Sequence, residues 1–178
     1  MISPEPVTSP RVLFHYSEDP SISTFAPHVP RSNSTVAAAV WAIDPDHAPL
    51  YWFPRDCPRV AVWANTAEQQ ERLATRFVTE ASRVQVAPLQ WVDRIRACRL
   101  FEYRFDPEPF ARWPDAEGQW VAHESVTALA VEPVGDLVDR HAMNDVELRF
   151  IDDLAPVREE VLASGLPFSI VRYPVLPT

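Results

Sequence analysis

The sequence predicts an α+β fold, and three observations carry that prediction. Short apolar runs recur along the chain, each closed by proline or another turn residue, as the strands of an antiparallel or mixed sheet are. Between them lie stretches with helical spacing and a capping residue in front. The chain has 178 residues, a length that suits one substantial core. The expected organisation is a flexible arm over residues 1–10, followed by a single globular α+β domain over residues 11–178.

Met1 to Pro10 is rich in proline, serine and threonine and cannot bury an apolar face, hence the arm. Arg11 to Tyr16 reads as a short buried strand that stops at Ser17-Glu18-Asp19-Pro20. Pro27 to Thr35 reads as a loop, Ala39 to Ile43 as a strand ended by Asp44-Pro45, and Asp46 to Tyr51 as the start of a helix. The prolines of Phe53-Pro54-Arg55-Asp56-Cys57-Pro58 forbid regular pairing and make a rigid connector to a strand at Arg59 to Ala64.

Thr66 is an N-cap for a helix running to about Ser82, with Leu73, Phe77 and Val78 on its apolar side. A short helix over Leu89 to Arg94 follows, then a half-buried strand at Arg99 to Phe105, where polar and apolar side chains alternate. Trp120 to His123, Val126 to Val134 and Glu147 to Ile151 read as strands. Asp136 to Asn144 and Leu154 to Ser164 read as helices, the second stopped by Gly165.

Composition excludes several chemistries. The chain has no lysine, so Schiff-base lysines and the lysine of a phosphate-binding loop are out. Its glycines, Gly118, Gly135 and Gly165, are too scattered for a Rossmann or Walker loop. A net charge of −9 argues against nonspecific binding to duplex nucleic acid. Cys57 and Cys98 stand apart with no CxxC or His/Cys ligand spacing, so neither a metal site nor a disulfide framework is expected, and a reducing cytoplasm fits. No stretch reaches the ~18 apolar residues that span a bilayer, and Met1 to Arg11 does not read as a secretion signal.

Three groups can carry chemistry. The first is His15-Tyr16-Ser17-Glu18, where a histidine at a strand end either bonds a ligand and moves protons or satisfies a core carbonyl. In His123-Glu124-Ser125, the Glu124 carboxylate either orients a ribose hydroxyl and stabilises charge at a sugar carbon or is simply solvated. In the proline-flanked loop, Arg55 and Arg59 either clamp a phosphate through bidentate hydrogen bonds or pair internally with Asp56. Cys57 reads as a packing residue. Trp41 and Trp52 serve as core or as pocket walls.

The stretches Leu13 to Ile22 and Phe53 to Val60 resemble the signature segments of an uncharacterised bacterial domain family, and the likeness runs from about Arg11 to Tyr173. More distantly, the order of elements resembles small ADP-ribosyltransferase-like proteins such as the enzymes that modify rifamycin antibiotics. That resemblance implies a split β-sheet core gripping NAD and transfer of ADP-ribose to an acceptor. It further implies His15 at the NAD ribose, Glu124 acting at the nicotinamide ribose, and Trp41 where a tyrosine is commoner; Tyr16, Ser17, Arg55 and Arg59, read from the residues themselves, complete the expected cofactor-binding set. The alternative is a small-molecule or nucleotide-binding protein, or a biosynthetic tailoring enzyme, using the same cleft without NAD turnover.

Overall fold

A computed structural model describes residues 10–29 and 36–173. Apart from Pro10, the expected arm lies outside the described residues, as does the expected loop beyond Val29. In chain order the elements begin with β1 (Leu13–Ser17), β2 (Thr24–Phe25), β3 (Val40–Ile43), a 3-10 turn at Ala48–Tyr51, β4 (Arg59–Trp63) and α1 (Ala67–Phe77). Next come β5 (Arg83–Pro88), α2 (Val92–Arg96), β6 (Phe101–Phe105), β7 (Ala111–Arg112) and β8 (Gln119–Ala122). The last elements are β9 (Val126–Thr127), β10 (Ala130–Pro133), α3 (Leu137–Ala142), β11 (Val146–Ile151), α4 (Ala155–Ser164) and β12 (Phe168–Val171). The fold is therefore mixed α+β, and its contacts gather into two compact units. One comprises residues up to Ala48 with Phe101–Pro133; the other comprises Pro49–Leu100 with Val134 onward.

In the first unit an antiparallel sheet runs β10-β6-β1-β3-β8-β7, with β2 and β9 pairing separately. Alternation along the strands sends Leu13, Val40, Ala42, Tyr103 and Phe105 into one core. Phe25 is wedged into that core, its ring edge-on to Tyr103 and Phe105 at 5.0 Å each. Burying such a side chain contributes roughly 2–3 kcal/mol. The Tyr103 hydroxyl donates to the carbonyl of Asp19 at 2.6 Å and accepts from the amide of Ile22 at 3.2 Å, which ties the turn after β1 to the core. The expected single strand over Val126 to Val134 is two strands, because β9 pairs with β2 while β10 pairs with β6.

In the second unit the sheet runs β11-β5-β4-β12, parallel only between β11 and β5. Val60, Val62, Val84 and Val86 pack with Leu73 and Phe77 of α1 and Val161 of α4. The Thr66 hydroxyl caps α1 by accepting from the amide of Gln69 at 3.2 Å, as its N-cap role requires. The helix stops at Phe77 and not near Ser82, because Val78 turns left-handed at φ 51°. β5 then begins at Arg83, in a segment whose polar residues hide it from pattern reading: Arg83 and Gln85 alternate with valines, yet both are buried.

Candidate functional site

β3 lies between β1 and β8 and is antiparallel to both, with Phe14 opposite Ile43 and Val40 opposite Ala122. The C-terminal ends of β1 and β8 therefore flank the N-terminal end of β3. Tyr16 and Ser17 end β1, Trp41 lies near the start of β3 and Glu124 on the bend just after β8; His15, expected at a strand end, is the middle residue of β1, because the strand runs on to Ser17. The expected strand over Trp120 to His123 ends at Ala122, which leaves His123 and Glu124 exposed on that bend.

Each side chain has a defined setting. His15 is half-buried, its ring 4.9 Å from that of Phe25, and its Nδ1 lies 2.9 Å from the Trp41 carbonyl. A carbonyl only accepts, so Nδ1 carries the proton, and in the neutral ring Nε2 holds the lone pair. Trp41 is half-buried and meets Trp113 edge-on at 5.2 Å. Its Nε1–H is buried with no acceptor among the described residues. The Tyr16 hydroxyl donates to Glu102 at 2.9 Å directly across the strands, and Arg104 donates to both Glu102 (3.3 Å) and Glu132 (2.9 Å). Ser17 Oγ accepts from the amide of Asp19 at 3.1 Å. His123 Nδ1, at 3.1 Å from the Ala38 carbonyl, fastens the Glu124 bend to the approach to β3.

The remaining two expected ligand-binding residues belong to the second unit. Arg55 is exposed on the turn before Cys57. Arg59 opens β4 and is buried, donating from Nε to the Leu50 carbonyl at 2.9 Å and from Nη1 to the Cys57 carbonyl at 3.0 Å. Asp56 bonds Arg172 at 3.0 Å. Burial pushes the Cys57 thiol up to about 11, so it stays protonated near neutral pH, as a packing cysteine does. Among the described residues no group of three or more His, Cys, Asp or Glu is placed to hold a metal ion, and no helix is long and apolar enough to cross a membrane.

Sequence reasoning missed Glu102 and Trp113 as parts of this site. Alternation put Glu102 on a strand, but only the β1–β6 register brings its carboxylate to Tyr16. It also missed Asp44-His47-Glu117, where His47 Nδ1 lies 2.7 Å from Asp44 and Nε2 lies 3.7 Å from Glu117.

These observations define an α+β protein in which one end of an antiparallel sheet carries polar and aromatic side chains on both faces. The chain belongs to the family of unknown function DUF6886, whose sequence profile matches residues 14–174. No curated protein and no solved structure matches it.

Proposed function

We propose that this chain binds NAD where β1, β3 and β8 end together and transfers its ADP-ribosyl group to an acceptor, as ADP-ribosyltransferase-like enzymes do. The observation that carries this reading is the register, which brings the C-terminal ends of β1 and β8, with His15 on the one and Glu124 just after the other, to either side of the start of β3.

When bound, NAD supplies an anomeric carbon whose bond to nicotinamide breaks with the electron pair leaving on the nicotinamide nitrogen, while the acceptor's lone pair forms the new bond. Glu124 holds negative charge beside the centre that turns positive and takes the acceptor's proton. His15 contacts the ribose, its ring oriented by the Nδ1 bond to the Trp41 carbonyl. On the opposite face of the sheet Trp41 packs against Trp113 and Tyr16 is fixed by Glu102, which holds the strands that carry His15 in place.

The exposure of Glu124 on its bend favours a second reading, a nucleotide binder that holds its ligand in the same place without turnover. Calorimetric titration with NAD tests what the two share. Saturable binding is expected, weakened roughly tenfold in His15→Ala through the lost hydrogen bond. Wild-type protein that gives no binding heat contradicts the NAD reading.

A further inference from the structure

We propose that the second unit carries an oxyanion-binding site of its own, built on Arg59 and taking a phosphate-type group. The proposal is independent of the NAD reading, which draws on the first unit.

Arg59 is 7 % exposed, and two of its donors are tied to the Leu50 and Cys57 carbonyls. Its guanidinium lies over the Phe53 ring at 4.9 Å. A guanidinium has five N–H donors in a fixed fork, so these bonds hold the group rigid and leave donors on Nη1 and Nη2 for another acceptor.

Among the described residues no negative charge answers this cation. The groups whose fields act on Arg59 are Tyr51, Cys57 and Arg172. Desolvation holds the Tyr51 phenol above its usual range and burial pushes the Cys57 thiol up to about 11, so both are neutral at pH 7. His141, edge-on to Phe53 at 5.0 Å, is neutral as well, since burial takes it down to about 4. Arg172 adds a second cation immediately after Val171, the residue paired opposite Arg59. Its Asp56 partner leaves it 46 % exposed.

A buried charge without a counter-charge is costly, and in a chain of net charge −9 the local surplus of arginine runs against the composition. An oxyanion seated on the Arg59 fork and reached by Arg172 supplies the missing charge through bidentate hydrogen bonds.

The test is calorimetry on the full chain with inorganic phosphate and, separately, pyrophosphate at fixed ionic strength, repeated on Arg59→Lys and Arg172→Met. Saturable binding of at least one anion is expected, weakened roughly tenfold in Arg59→Lys, where charge is kept but the fork is lost. Arg172→Met, an exposed change that spares the fold, is expected to weaken binding severalfold and decides the matter alone if Arg59→Lys does not fold. Tighter binding of pyrophosphate identifies a polyphosphate ligand, and equal binding identifies a single phosphate group. Wild-type protein that binds neither anion, or affinity unchanged in Arg172→Met, overturns the proposal.

Discussion

Gly118 holds φ +76°, and a Cβ placed there would run into the ring of His47. His47 cannot retreat easily, since Asp44 Oδ1 accepts from both its Nδ1 (2.7 Å) and its amide (2.9 Å). The amide of Asp44 in turn donates to the Gly118 carbonyl at 2.9 Å, which closes the loop. Gly118→Ala is therefore expected to destabilise the protein by about 3 kcal/mol, combining left-handed strain with overlap. Denaturant unfolding measures this, and a loss below about 0.5 kcal/mol would contradict the packing described. At this scale only placement was legible: His15 and Trp41 fall on strands and Glu124 just after one, although His15 is in the middle of its strand and not at the end. The partners were not, because the contacts of Trp41 with Trp113 and of Tyr16 with Glu102 join segments far apart in sequence.

Capping chemistry makes elements readable where it is local. Asp136 caps α3 by accepting from the amides of Val138 and Asp139 at 2.8 and 3.0 Å, close to the start expected from the sequence. β5 escaped notice because its polar residues are buried with its valines, and β12 has only four residues. α3 also carries a pH-dependent contact. His141 is buried, donates from Nδ1 to the Leu137 carbonyl at 2.6 Å, and meets Trp52 and Phe53 edge-on. Burial lowers its pKa from 6.5 to about 4. The unfolded chain therefore binds the proton first, and stability present above pH 6.5 is lost as pH falls toward 4. The loss amounts to about 3 kcal/mol. Unfolding free energies measured across that window should show this slope in the wild type and a flatter one in His141→Gln. Equal slopes would contradict the assignment.

For the whole molecule, the pattern of short apolar runs and capped helical stretches pointed to the α+β class, and composition removed lysine chemistry and glycine-loop nucleotide sites. The division into two compact units was not legible, since it depends on Phe101–Pro133 joining the N-terminal strands while Val134 onward joins Pro49–Leu100. Strand order is likewise a matter of long-range pairing, and the candidate site exists only through that order: β1 and β8 are distant in sequence and come together on either side of β3. The most direct measurement of the central claim is release of free nicotinamide from NAD by the purified chain, followed by chromatography, with Glu124→Gln beside it. The account predicts steady release by the wild type and a rate roughly a hundredfold lower in the variant; equal release by both proteins, or none by the wild type, would contradict it.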